Sequence, residues 1–200
     1  MRDLPFSQAA ENNKKPILDI LREALSECNS VLEVGSGTGQ HAVWFAGHLP
    51  HLSWQPSEQQ QNLQELNLRL SAEAPVNVRA ALALDVADAT WPVGKTDAVF
   101  AANCVHIMSW SHVKKMFAGL SDILNKGGLL ILYGPYKYNG NFTSDSNARF
   151  EQWLQGRDIN SGIRDFEKVD ALANEIGLTL QKDHQMPANN QCLIWKKTNE

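Results

Sequence analysis

Two hundred residues, 43% hydrophobic and 20% charged, suit one globular domain with a sizeable core. A net charge of −4, with no run of Lys or Arg longer than a pair, argues against a surface built to neutralise nucleic-acid phosphates. Cys28, Cys104 and Cys192 are far apart and odd in number; they give neither a disulfide framework nor a metal spacing, and they point to a reducing compartment.

No stretch approaches the ~18 apolar residues of a membrane span, and "MRDLPFSQAAENNKKP" has no signal-peptide core, so the expected location is the cytosol. Without a secretion signal, the match of Asn141-Phe142-Thr143 to a glycosylation acceptor reads as chance. Along the chain, Ile17, Leu18, Ile20, Leu21 and Leu25 recur at helical spacing after Pro16, which suits a first helical turn. "SVLEV" (30–34) is a short buried strand ended by glycine, and "QHAVWFAGHL" is a helix starting on the glycine loop. "LSWQPSE" is a second strand stopping at Pro56, with Trp54, like Trp44, assigned to the core. "NLQELNLRLSAEA" is an amphipathic helix with Leu63, Leu66 and Leu70 on one face. "VRAALALDV" is a third strand ending near Asp85, and a fourth runs from about Ala98 to Ala102. "SHVKKMFAGLSDIL" is a helix with Gly127-Gly128 as its stop, and "GLLILYGPY" is a fifth strand. "KVDALANEIG" is a helix, followed by strands "LTLQKDHQM" and "QCLIWKK" joined across "PANN". Strands alternating with helices give a parallel sheet covered on both faces, finished here by an antiparallel hairpin.

The chemistry concentrates behind the first strand. Gly35, Gly37 and Gly39 form G-x-G-x-G around Ser36, between a strand and a helix. The dinucleotide fingerprint G-x-G-x-x-G needs a glycine where Gln40 stands. A ligand-free turn needing positive φ is the alternative, but three alternate glycines exceed what a turn requires. Glu33, two residues ahead at the strand end, would repel a pyrophosphate and attract an ammonium. An acidic residue before G-x-G-x-G resembles motif I of class I S-adenosylmethionine (SAM)-dependent methyltransferases. The resemblance implies further contacts at the next strand ends: Glu58 (or Gln55) to the ribose hydroxyls, Asp85 to the adenine amino group, and Asn103 beside the methionine end. Taken singly, Glu58 and Asp85 are equally well explained as solvated carboxylates or helix caps.

"ANCVHIMSW", "LYGPYKYNGNFTSDSNARFEQWLQGRDINSGIRD" and "PANN" resemble, more specifically, a methyltransferase-like family of unknown function, over nearly the whole chain. Asn12 in "AAENNKKPI" departs from that family's arginine. The resemblance implies an α/β, Rossmann-like class I methyltransferase fold with a mostly parallel seven-stranded sheet and bound SAM, in a single domain over 1–200; it implies no particular acceptor. Residues 136–165 are too long for a simple connection of ~2–6 residues and would overhang the reactive end as a substrate-covering insert. Tyr133, Lys137, Asn147, Arg164, Asn189 and Asn190 are the candidate acceptor contacts. Arg157-Asp158 and Arg164-Asp165 read equally as ion pairs pinning the insert.

His106 and Tyr136 are the catalytic candidates. An imidazole of ordinary pKa ~6.5 can take a proton from an acceptor hydroxyl or amine, though His106 could instead pack beneath the next helix and Tyr136 could fill the wall. The remaining histidines, His41, His48, His51, His112 and His184, share no metal spacing. A SAM-dependent methyltransferase with a small-molecule acceptor is therefore the first reading, and neither nucleic acid nor membrane is expected as a partner. A non-catalytic SAM-binding protein and a nicotinamide-dependent oxidoreductase are the alternatives.

Overall fold

The computed structural model describes residues 4–198. Ser7 caps the first helix, α1 (Gln8–Ala24), by accepting the Ala10 N–H at 3.3 Å. The helix thus starts eight residues before Pro16, which lies inside it and deprives the Asn12 carbonyl of its helical donor. Strand β1 (Ser30–Val34) leads through the glycine loop into α2 (Gln40–His48) and β2 (Ser53–Glu58).

Strand β2 does not stop at Pro56. It stays in parallel register with β1 through Glu33↔Pro56 and Val34↔Ser57. Trp54 donates to Asn77 on the outer side at 2.9 Å, so by alternation the missing Pro56 donor faces the same outer side. There pairing resumes only at Ser57↔Leu82, and no ladder bond is lost. Helix α3 (Leu63–Glu73) follows, and then β3 (Leu82–Ala83), reduced to two residues. The expected nine-residue strand is otherwise irregular, touching β2 earlier only at Trp54↔Val78.

Strand β4 (Thr96–Ala102), α4 (Trp110–Ile123) and β5 (Leu124–Gly134) complete the parallel part. Gly127-Gly128 is not the stop of α4. Leu124 is already extended and belongs to β5, and the glycines lie in the stretch where the β4–β5 register slips between Thr96↔Leu124 and Ala98↔Leu129. The insert folds into β6 (Tyr136–Tyr138), β7 (Asn141–Phe142), α5 (Asp145–Arg157) and β8 (Arg164–Asp165). Asn139 and Gly140, both at positive φ, make the tight β6–β7 turn, and the three short strands form a separate sheet ordered β7-β6-β8. Helix α6 (Phe166–Glu175), β9 (Leu178–Met186) and β10 (Asn190–Lys197) end the chain.

The main sheet runs β3-β2-β1-β4-β5-β10-β9, with β10 antiparallel to both neighbours. This is the seven-stranded, hairpin-finished α/β sheet that the sequence pattern implies. Its strands bury both faces by alternation. Val31, Ala98, Phe100, Ile131 and the wholly buried Trp54 of β2 meet α1 and α2 through Leu21 and Phe45. Leu32, Val99, Leu130 and Leu193 meet α4 and α6 through Phe117, Leu120 and Val169. Trp44 is only partly buried, under the Lys14 ammonium at 4.3 Å. The chain leaves β1 to one side through α2 and returns beside it as β4. The crevice at the carboxyl ends of β1 and β4 is the place where open α/β sheets bind ligands. No helix among the described residues is long and apolar enough to cross a membrane.

The second core cluster gives a two-sided test of packing. A Cβ on Gly119 in α4 would lie 2.4 Å from Trp91 Cε2, whereas one on Gly156 in α5 meets nothing within 4 Å. Gly119→Ala is expected to destabilise by on the order of 1 kcal/mol or more, overpacking outweighing the gain in helix propensity. Gly156→Ala should stabilise by a few tenths of a kcal/mol. Chemical denaturation of both variants checks the opposite signs.

Candidate functional site

A cavity of about 1360 Å³ opens at the carboxyl ends of β1, β2, β4 and β5. Its floor is the glycine loop. Gly35 (φ +72°) must lack a side chain, because a Cβ there would lie 2.7 Å from Cys104 Sγ. Gly37 (φ +53°) borders the cavity with open space where a Cβ would go. Gly39 does not reach the cavity: its missing Cβ makes room for Leu66 of α3, 2.9 Å away. Ser36 lines the floor, donating to Glu33 Oε2 at 2.9 Å and accepting the Ser57 N–H at 3.2 Å.

Three of the loop's own donors are already used. Ser36 N–H goes to the Ser57 carbonyl and Gly39 N–H to the Ser36 carbonyl, each at 2.9 Å. Gly37 N–H goes to Glu58 Oε2 at 2.8 Å. A phosphate cradle needs such donors free, and here a carboxylate holds the central one. Gln40, in place of the fingerprint's glycine, is buried and brackets the backbone of Ser7: its Nε2 donates to the Ser7 carbonyl at 3.3 Å and its Oε1 accepts from Thr38 Oγ1 at 3.0 Å. Buried Arg69 completes the fastening through the carbonyls of Thr38 (2.8 Å) and Pro5 (2.6 Å).

The expected carboxylates take different places. Glu58 borders the cavity at the end of β2, its second oxygen accepting from Gln59 N–H at 2.8 Å and Asn62 Nδ2 at 3.3 Å. Glu33 lies beneath the loop rather than at its mouth. It is 2% exposed and accepts from Trp54 Nε1 at 3.0 Å as well as from Ser36. Burial pushes its carboxyl up to about 7, against the pull of those two donors. Asp85 is also outside the wall: it caps its own turn at Ala87 N–H (2.8 Å) and accepts from Gln59 Nε2 (3.1 Å), while Leu84 and Val86 on either side line the cavity. Gln55 points to the outer edge, donating to the carbonyls of Pro56 (3.0 Å) and Ala80 (2.7 Å). Asn103, at φ +58°, is in the wall, and a Cβ on Gly134 would lie 3.8 Å from its Oδ1 and 3.3 Å from His106 Nδ1.

His106 therefore meets the cavity beside Asn103 and also packs edge-on against Phe150 at 5.4 Å. Burial, with a smaller push from Arg164, lowers it to about 4, so the ring is neutral at neutral pH. Tyr136 is not in the wall. It is 2% exposed within the α4–α6 core, and burial raises its hydroxyl far above the ordinary value. Tyr133 does line the cavity, its hydroxyl raised by burial and steadied by Asn13 and Asn190.

Of the expected acceptor contacts, Asn147, Asn189 and Asn190 border the cavity and Lys137 and Arg164 do not. Lys137 lies 3.8 Å from Glu151 and 5.3 Å over the Phe142 ring, inside the insert. Arg164 donates to the carbonyls of Val105 (3.3 Å), Met108 and Asn160 (2.8 Å), tying the insert to the turn after β4. Among the described residues neither adjacent Arg–Asp pair forms an ion pair: Asp165 sits 3.3 Å from Lys168, Asp158 accepts from Asn160, and Arg157 lies 4.8 Å over the Trp153 ring. Sequence reasoning missed Asn13 and His41, which meet across α1 and α2 at 2.7 Å on the cavity wall. The repeated Asn12-Asn13 before a helix-breaking Pro16 was the available signal. It also passed over Phe150 and Trp153, three apart on α5 and stacked at 5.5 Å.

The chain belongs to the family described as "Protein of unknown function (DUF938)", whose model matches residues 4–197. Among solved structures it is similar to an O-methyltransferase family protein from Burkholderia thailandensis (TM-score 0.81, 15% identity, 95% of this chain and 57% of that chain). It is similar also to human N-acetylserotonin methyltransferase in complex with SAM (0.80, 12%, 96% and 53%) and to PigF with SAH (0.79, 13%, 94% and 56%). The chain thus spans little more than half the length of the structures it matches. At these identities the likeness is one of fold, and it is the Rossmann-like methyltransferase fold.

Glu33 makes the site's protonation measurable. Its folded value of about 7 exceeds the ordinary 4.5, so the folded chain holds this proton more tightly than the unfolded one. The cost is absent below pH ~4.5, grows up to pH ~7 and stays in full above it. His41 and His106, both lowered to about 4 by burial, act oppositely, adding stability as pH rises from ~4 to ~6.5. Glu33→Gln removes only the first effect and keeps an oxygen for Trp54 and Ser36. The variant's stability relative to wild type should therefore rise by up to about 3 kcal/mol between about pH 5 and pH 8. Denaturation at both pH values checks this; a constant difference would mean that Glu33 does not titrate there.

Proposed function

We propose that the chain is a SAM-dependent methyltransferase with a small-molecule acceptor. The observation that carries this reading is the Glu58 carboxylate on Gly37 N–H. It makes the centre of the loop acidic, unsuited to a pyrophosphate and suited to a cofactor without phosphate that offers hydroxyls and a cationic group. The similarity to methyltransferase structures holding SAM and SAH supports the same cofactor. The cavity, about 1360 Å³, exceeds the ~300–1,000 Å³ of a typical single-ligand pocket, leaving room for a second molecule.

In this reading Glu58 accepts from the ribose hydroxyls, Leu84 and Val86 form apolar walls for the base, and the loop backbone at 35–38 lies against the cofactor. SAM supplies a methyl group on an activated sulfonium; when an acceptor lone pair takes the methyl, the carbon–sulfur electron pair stays on sulfur and SAH leaves. The protein's contribution is alignment and exclusion of water. Neutral His106 can accept a hydrogen bond from the acceptor's hydroxyl or amine. Its lowered pKa makes it a weak base, so it serves better to orient the nucleophile and pass its proton on to water than to hold it. Tyr133, steadied from both sides, offers a second fixed hydroxyl. The reading includes a cytosolic location, supported by three free cysteines among the described residues.

Calorimetry tests the cofactor directly. SAM and SAH should bind at micromolar concentrations and NAD should not; SAH silent at millimolar concentration, or NAD binding as well as SAH, would overturn the reading. Glu58→Ala should weaken SAH at least tenfold, about 1.4 kcal/mol, with the fold retained by circular dichroism. Turnover against an acceptor panel separates an enzyme from a protein that only binds SAM.

A further inference from the structure

Helix α5 lines the cavity along much of its length, and three of its lining residues, Phe150, Trp153 and Arg157, lie at helical spacing. Phe150 stacks on Trp153 with centroids 5.5 Å apart and planes 17° from parallel. Arg157 lies over the Trp153 ring at 4.8 Å, and His106 meets Phe150 edge-on. The result is a stiff aromatic slab along one side of the cavity, with Ile107 beside it. Trp153 and Ile107 remain 52% and 55% exposed, apolar wall left open by the described residues.

Charge on this wall is uneven. Arg157 is the one Lys or Arg among the described residues of the lining, and it makes no ion pair or hydrogen bond among the described residues. Over the Trp153 ring, its N–H groups have no hydrogen-bond acceptor among the described residues, and such a planar fork suits a carboxylate. Asp158, next to it, accepts the N–H and side-chain amide of Asn160 on its Oδ1 at 2.9 and 3.0 Å.

We propose that this compartment binds a planar aromatic acid, its ring along the Phe150–Trp153 slab and its carboxylate on Arg157. Such a molecule's role as methyl acceptor rests on the methyltransferase reading; its binding does not. Offset and edge contacts between rings favour an aromatic over a saturated ligand of equal size, and a guanidinium with no carboxylate partner among the described residues favours the acid over its amide.

The test is calorimetry on the full chain, with and without SAH, using para-hydroxybenzoate, para-hydroxybenzamide and cyclohexanecarboxylate as matched probes. The hydroxybenzoate should bind at least tenfold tighter than either of the others. Arg157→Gln should remove the preference for acid over amide, and Trp153→Leu the preference for aromatic over saturated ring; each lies on the exposed face of α5, so thermal melts should match wild type. Equal binding of all three probes, an unchanged acid preference in Arg157→Gln, or silence of every probe on a protein that binds SAH would overturn the inference and leave the cofactor reading standing. Silence toward SAH with the aromatic acid still bound would sink the cofactor reading and keep the site.

Discussion

The Glu58 carboxylate belongs to two elements at once, and the shape of the site depends on that. From the end of β2 it accepts the Gly37 N–H with one oxygen and the Gln59 N–H and Asn62 amide with the other. Beside it, Ser36 and Ser57 exchange hydrogen bonds that prolong the β1–β2 pairing past the last residue of β1. The loop is therefore zipped to the neighbouring strand and holds its form from the chain's own bonds. A loop built this way offers a ligand a backbone surface and one carboxylate, with the donors of Ser36, Gly37 and Gly39 already taken, and this restricts cofactor type more than the glycines do.

Beneath the loop the same economy of donors holds Glu33. Two hydrogen bonds cannot offset full burial of a carboxylate, so the group keeps its proton toward neutral pH. Its partner Trp54 is itself wholly buried and packs at 5.7 Å from Phe45, so the α1–α2 core reaches the cavity floor through a single indole N–H. Packing on that face and the position of Ser36 are coupled through one acid. Cys104, half-buried in the cavity wall, is drawn into this neighbourhood: desolvation, with Glu58 and Glu33 nearby, raises its thiol to about 12, which keeps it protonated.

Periodicity made the architecture legible because both faces of the strands are apolar and the helices carry one apolar side; the sheet, its hairpin and the glycine loop all follow from local pattern. What failed was whatever depends on a partner distant in sequence. Pro56 looked like a stop because only the neighbouring strands reveal that its missing donor faces a gap. Gly39 looked like part of a ligand cradle, but Leu66, twenty-seven positions on, is the reason for it. Asp85 sat at the right strand end with its side chain turned to its own turn. In the insert, charge was a poor guide: Lys137 and Arg164 serve the insert's own folding, whereas Phe150 and Trp153 form the wall. Asn13 and His41 were invisible for the same reason, since their contact joins two helices.

The insert divides its labour in a way that bears on how such a site can vary. Arg164 fastens it to the turn after β4 through the Val105 and Met108 carbonyls, with help from Ser161 Oγ on the Ile107 carbonyl (2.7 Å) and Gly162 N–H on the His106 carbonyl (2.8 Å). At the other end Asn147, 5% exposed, donates to the Asn189 carbonyl at 3.0 Å, where Ala188 and Asn189 both hold positive φ. Non-glycine residues in that region persist only when surrounding structure imposes it, so the "PANN" turn is shaped by the insert as much as by its own hairpin. Beyond Asn147, the α5 side chains Phe150, Trp153 and Arg157 line the cavity and make none of these fastening hydrogen bonds. Substitution there changes what the wall recognises without loosening the turn that holds His106 or the strand ends that hold Glu58. Specificity can thus shift on α5 while the floor keeps the same bonds, and the two halves of the site are separable in mutagenesis because they are separable in the chain.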